Sequence, residues 1–145
     1  MNIQMVDLMG QYKKIKAEVD RNIINSIESG RLINGPIVNE FCENLKKYLN
    51  VKYVIPCANG TDALQIAFMA LGLKPGDEVI CSAHTMIATA SAIKTAGGTP
   101  IPVDINDSGL IDCEAIDNAI NSRTVGIMPT QLNFLKPIQT PIKNH

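Results

Sequence analysis

GDEVICSAHTMIATASAIKTAGGTPIPV, residues 76–103, decides the fold. Gly76-Asp77 completes a turn begun at Lys74-Pro75, and Glu78 to Cys81 follows as a short apolar strand. Residues 85–96, rich in alanine and threonine, read as a helix that Gly97-Gly98 ends. Thr99 to Val103 is another strand. Short strands of continuous apolar character, separated by helices, predict a parallel sheet covered on both faces. The fold class is α/β.

The same alternation runs outward in both directions. Asp104 to Gly109 is a polar loop, Asp112 can cap a helix carrying Ala115, Ile116, Ala119 and Ile120, and Thr124 to Met128 is a further strand. Upstream, Ile15, Val19, Ile23 and Ile27 recur every fourth residue, which predicts an amphipathic helix over residues 12–29, stopped by Gly30. Leu32-Ile33-Asn34-Gly35-Pro36 is a turn-rich joint. A second helix follows, with Val38, Phe41, Cys42, Leu45, Tyr48 and Leu49 on one stripe. Val51-Lys52-Tyr53-Val54-Ile55-Pro56 reads as the first strand of the sheet. Residues 134–145 have neither period, and Pro137 and Pro141 interrupt them.

At 145 residues the chain has the length of one ordinary domain. Hydrophobic residues at 46% with 19% charged ones describe a soluble globular protein. A formal net charge of −1 with interspersed signs argues against a nucleic-acid partner. No apolar run approaches the ~20 residues of a membrane span, and MNIQMVDL lacks the pattern of a signal peptide, so no membrane association is expected. Cys42, Cys57, Cys81 and Cys113 form no CxxC and have no histidine at metal spacing. They are expected to be small buried thiols in a reducing compartment, the cytoplasm.

CANGTDAL, residues 57–64, stands between the run 51–56 and a helix with Leu64, Ala67, Phe68 and Leu71 on one face. A chain entering a helix sharply leaves the first backbone N–H groups unpaired, and with the helix dipole these make an anion site. Gly60 lets a ligand approach the backbone closely, and the Thr61 hydroxyl adds a donor. Asp62 in the first turn stabilises the helix end. The plainer reading is helix capping by Asn59 or Thr61. The stretch is neither GxGxxG nor a P-loop.

Asn59-Gly60-Thr61-Asp62-Ala63-Leu64, followed by Leu71-Gly72-Leu73-Lys74-Pro75-Gly76-Asp77-Glu78-Val79-Ile80, closely resembles the sugar aminotransferases of the DegT/DnrJ/StrS family. The likeness continues in His84-Thr85-Met86-Ile87-Ala88-Thr89, in Gly97-Gly98-Thr99-Pro100, in Val103-Asp104-Ile105 and in Met128-Pro129-Thr130. It also takes in Val6-Asp7-Leu8, Gln11-Tyr12, Ser29-Gly30-Arg31 and Gly35-Pro36, and so covers about residues 1–133.

The resemblance implies an incomplete large domain of the pyridoxal-phosphate (PLP) transferase architecture, the aspartate aminotransferase fold type I. Residues 1–36 would be an amino-terminal helix and arm, 37–133 a partial PLP-binding domain, and 134–145 an unmatched tail. It also implies that Gly60, Thr61 and Asp62 hold the PLP phosphate, mainly through the amides of Thr61 and Asp62. Met86 stands where the family usually has an aromatic residue stacked on the pyridine ring, and supplies thioether contact instead. His84, two residues earlier, reads as a structural loop residue. The implied reaction converts a nucleotide-linked keto sugar to an amino sugar, with glutamate as donor, in a homodimer.

The family's covalent-anchor lysine and the aspartate facing the pyridine nitrogen lie downstream of the matched region. None of the chain's lysines, Lys136 and Lys143 of the tail included, stands in that lysine motif, so covalent attachment and activity of this chain alone are not expected. The expectation is an amino-terminal fragment, from a shifted or truncated reading frame near codon 134. In this fold type the first strand lies at one edge of the sheet, beside strands from later in the chain, so Lys52–Ile55 would lack its neighbour. The alternative function is a non-catalytic partner of a full-length homologous aminotransferase subunit. A third is a phosphate-binding module with no preference for PLP.

Overall fold

In the computed structural model, which describes residues 5–132, the chain divides between Pro56 and Cys57 into two units. The tail assigned to residues 134–145 lies outside the described residues.

The first unit holds two helices. Asp7 caps α1 (Leu8–Glu28), its Oδ1 accepting from the Gly10 amide at 2.8 Å. The helix ends at Gly30, whose φ of +65° lies in the left-handed region. Along α1, Asp20 bonds both the Lys16 ammonium and the Tyr12 hydroxyl. These partners, Lys16 first, hold its carboxyl below the ordinary carboxylate range. Pro36 opens α2 (Pro36–Leu49) at its first position, where a missing N–H costs nothing. Asn50 closes it in the left-handed conformation. The predicted stripes are present, yet neither helix has a fully buried residue, and Ile15, Ile23, Ile27, Phe41 and Tyr48 are all exposed.

Residues 51–56 are not a strand. Tyr53 and Ile55 are 72% and 77% exposed. A strand exists only when its N–H and C=O groups pair with a neighbour, and among the described residues none lies beside this run. This corrects the sequence reading of the run as a buried strand, for the reason the family topology suggested.

The second unit opens with α3 (Gly60–Ala70), then β1 (Glu78–Ser82), α4 (Ala88–Thr95), β2 (Thr99–Val103), α5 (Cys113–Ala119) and β3 (Thr124–Met128). The three strands form a parallel sheet in the order β2-β1-β3. All five residues of the central β1 are buried, which is why it reads as continuously apolar rather than alternating. Its side chains divide between two cores. Ile80 packs with Val103, Ile111 and Ile116 on the α5 side. Val79 and Cys81 pack with Ile93 of α4 and Phe68 of α3 on the other. Both faces are therefore covered, as the pattern predicts.

Two details differ from the sequence reading. The helix expected from residue 85 starts only at Ala88. Residues 83–87 instead form a loop begun by Ser82, whose Oγ accepts from the His84 amide at 3.2 Å, the kind of local bond that competes with helix. Of the four thiols, only Cys81 is buried, and Cys57 is exposed. Cys57 follows the run that failed to become a strand, so no sheet covers it.

Candidate functional site

Parallel sheets present ligands at the carboxyl ends of their strands. Here that edge carries Ser82 at the end of β1, the loop 83–87 leading to α4, and Pro129-Thr130 after β3. α3 and α4 both end at the opposite edge, where α3 feeds β1 and α4 feeds β2. Their amino-terminal turns therefore point toward the carboxyl edge.

Asn59 is the N-cap of α3, with extended backbone (φ −164°, ψ 174°). Its Oδ1 accepts from the Asp62 amide at 3.0 Å, while its Nδ2 donates to Asp62 Oδ2 at 3.0 Å. This reciprocal pair is a variant of the capping box, with the acid one methylene shorter than the usual glutamate. Capping by Asn59, the plainer reading of the turn, is thus present. The Asp62 carboxylate is therefore paired with the Asn59 side-chain amide at the start of the helix.

The amides of Gly60 and Thr61 precede the first intrahelical bond of α3, which runs from the Ala63 amide to Asn59 O at 3.1 Å. A Cβ built on Gly60 would meet nothing within 4 Å, so no distant side chain packs against that glycine. Thr61 and Asp62 are half-buried. Two first-turn amides, a threonine hydroxyl and a positive helix end are the donor chemistry a phosphate dianion needs. The residues present fit the phosphate end of PLP. Their fit differs in one respect from the sequence expectation, since the Asp62 amide is engaged by Asn59.

Met86 is 66% exposed in the loop between β1 and α4. No hydrogen bond joins it or His84 to the Gly60–Asp62 turn among the described residues. His84 is exposed, and its amide and carbonyl both contact Ser82 Oγ, so its backbone has the structural role expected of it. Lys74 stands in the turn before β1, and Lys94 in the last turn of α4. Both belong to the edge opposite the carboxyl ends.

One feature of this edge was not read from the sequence. Thr85 Oγ1 lies 2.9 Å from Thr89 Oγ1 and 3.3 Å from Thr130 Oγ1. Thr85 and Thr89, four apart across Met86, are a visible pair. Thr130 is 45 positions away and only the sheet brings it near. Cys81, whose thiol burial pushes above its ordinary pKa, points into the α3–α4 core and is unsuited to nucleophilic work. No group of histidine, cysteine and carboxylate side chains arranged for a metal occurs among the described residues.

The fold is thus part of the α/β architecture of the PLP-dependent aminotransferases, with parallel strands and flanking helices. A family model of the DegT/DnrJ/EryC1/StrS aminotransferases matches residues 13–133, and the chain belongs to that family. It is 42% identical over 131 residues to the UDP-2-acetamido-2-deoxy-3-oxo-D-glucuronate aminotransferase of Pseudomonas aeruginosa, a match covering 90% of this chain and 36% of that protein. A solved DegT/DnrJ/EryC1/StrS aminotransferase from Brucella abortus superposes with a TM-score of 0.81 at 37% identity, over 88% of this chain and 36% of that one. The NtdA structure from Bacillus subtilis, with bound cofactor PMP, gives 0.75 at 38% identity, over 80% and 27%. The chain spans about a third of the length of these relatives.

Proposed function

We propose that this chain is the cofactor-phosphate-holding, amino-terminal part of a PLP-dependent nucleotide-sugar aminotransferase. The whole enzyme would convert a keto sugar to an amino sugar with glutamate as donor, in the cytoplasm and as a homodimer. The observation that carries the reading is the amino-terminal turn of α3, whose Gly60 and Thr61 amides precede the first intrahelical bond, in a chain of this family.

In this proposal the Thr61 amide and hydroxyl donate to the cofactor phosphate, and Gly60 admits its oxygens to the backbone. The Asp62 amide, which now donates to Asn59 Oδ1, would serve as a further donor once that cap bond opened. Asn59 Nδ2, which donates to the Asp62 carboxylate, offsets part of its charge there. Met86 lends an apolar, polarisable surface to the ring. Bound PLP supplies the electron sink on which amino transfer depends. Because no lysine stands in the family's anchoring motif, the chain by itself holds the cofactor without a covalent bond and does not transaminate. Residues 1–36 serve as an arm, and residues 37–133 carry the cofactor site.

Titration of the purified chain with PLP, followed by absorbance and by calorimetry, tests this. Saturable binding tighter than that of inorganic phosphate supports it, and borohydride should fix cofactor to no single preferred lysine. Equal affinity for PLP and inorganic phosphate would point instead to a general phosphate-binding module.

A second reading is favoured by the exposed apolar residues of α1 and α2, among them Ile23, Ile27, Phe41 and Tyr48. Monomeric proteins rarely leave such stripes bare. They suit a non-catalytic partner of a full-length homologous subunit. Co-expression with a tagged full-length aminotransferase checks this, and failure to co-purify would exclude it.

A further inference from the structure

We infer that Thr130 is a positioning residue, which holds the Met86 loop in place for the cofactor through the hydroxyl of Thr85. The inference rests on the PLP reading above and deepens it.

Met86 lies inside a single turn whose two ends are tied together. Thr85 Oγ1 and Thr89 Oγ1 stand 2.9 Å apart across it, and the Thr89 amide donates to Met86 O at 3.0 Å. Thr89 is 5% exposed and sits on α4 beside the buried Ala88 and Ala92, so this end of the clamp is anchored in the core. The Met86 side chain is exposed. Its backbone is thus held from below while its thioether remains free to meet a ligand.

The clamp alone secures the turn only to α4. Thr130 secures it to the sheet. Two residues past the end of β3, its Oγ1 lies 3.3 Å from Thr85 Oγ1. This distance is long for an O–H···O bond, so the tie is weak and easily exchanged. It is nevertheless a side-chain hydrogen bond between the β1–α4 loop and the chain after β3. In the parallel ladder β1 and β3 are already paired as far as Cys81 and Met128. The threonine tie extends that pairing beyond the strands, to the loop that carries Met86. An apolar residue of similar volume at 130 would keep the packing and remove the tie.

The test uses the full chain and three variants: Thr130→Val, Thr130→Ser and Met86→Ala. Amide hydrogen exchange is followed in the absence of cofactor, and PLP binding by titration. Thr130→Val is expected to speed exchange at residues 84–89 several-fold while leaving β1 and β3 unchanged, and to weaken PLP binding by about 3–10-fold, the equivalent of one modest hydrogen bond. Thr130→Ser should restore both. Met86→Ala should weaken PLP binding without altering exchange at Thr85 and Thr89. Unchanged exchange in Thr130→Val overturns the inference, as does faster exchange with unchanged PLP affinity. If the wild-type chain binds no PLP, the cofactor reading falls and this inference falls with it. If the wild type binds and Thr130→Val binds equally well, the inference alone falls.

Discussion

Arg123 sets its Nη2 2.6 Å from Oε1 of Glu78, a side chain only 7% exposed. The other carboxylate oxygen accepts from Asn121 Nδ2 at 2.7 Å. A buried acid at the first residue of the central strand is thus closed by two donors from the lead-in to β3. The Glu78 amide also donates to Arg123 O at 2.8 Å, so backbone and side chains tie the same two segments. The two partners are unequal. Arg123 is 67% exposed and can return to water, whereas Glu78 cannot.

Removing the exposed partner should therefore hurt through the buried one. Arg123→Ala is expected to cost about 1–3 kcal/mol, mostly as the desolvation of a carboxylate left with one donor. Adding Glu78→Gln, which removes the charge but keeps the shape, should recover part of that loss. Urea denaturation of the two single variants and the double variant checks the sign of the coupling.

Gly60→Ala separates folding from ligand binding. The new Cβ meets no atom of the protein, and a first-turn alanine limits the unfolded chain more than glycine does. Stability should stay level or rise by roughly 0.5 kcal/mol. PLP binding should weaken, because in the proposed site the cofactor phosphate comes close to the backbone at Gly60. Thermal melts and PLP titration on one preparation decide it.

Asn59→Ala removes both halves of the reciprocal cap and should destabilise the chain by about 1 kcal/mol. It also leaves the Asp62 carboxylate without the Asn59 amide donor. PLP affinity is expected to fall although an amide has been freed, since the liberated carboxylate repels the phosphate. A rise in affinity would show that Asn59 competes with the ligand more than it assists.

The thiols should react in an order set by burial. Cys57 is exposed and should be labelled by Ellman's reagent in the folded chain, and Cys81 only after unfolding. Burial raises the Cys81 thiol, so the folded chain keeps that proton at a pH where the unfolded chain, titrating near 8.5, has begun to lose it. The linked stability is present below about pH 8.5 and declines as pH rises above it. Denaturation midpoints between pH 7 and 10 should fall accordingly, and less steeply in Cys81→Ala if that variant folds.

The elements most legible in the sequence are those whose signal is local. Asp112 caps α5 as expected, with its side chain accepting from the Glu114 amide. Gly97, at φ +104°, ends α4 where the double glycine predicted. β2 and β3 begin and end at the expected residues. The start of α4 was not legible, because Ser82 Oγ captures the His84 amide and a loop takes the place of the first helical turn. The cap at Asn59 was legible as a type of turn, but not as a reciprocal bond that draws in Asp62.

Periodicity and capping chemistry, which act over a few residues, therefore determined from the sequence alone that helices and apolar strands alternate, and that a helix mouth with open donors follows Asn59. Family-specific runs determined the family to which the chain belongs. Tertiary structure decided what depends on neighbours distant in the chain. Val51–Pro56 has the composition of a strand but, among the described residues, no strand to pair with, and hydrogen-bonding capacity rather than apolarity settles whether a strand forms. In the same way Glu78 meets Arg123, and Thr85 meets Thr130, only because β1 and β3 lie side by side, which no local pattern encodes.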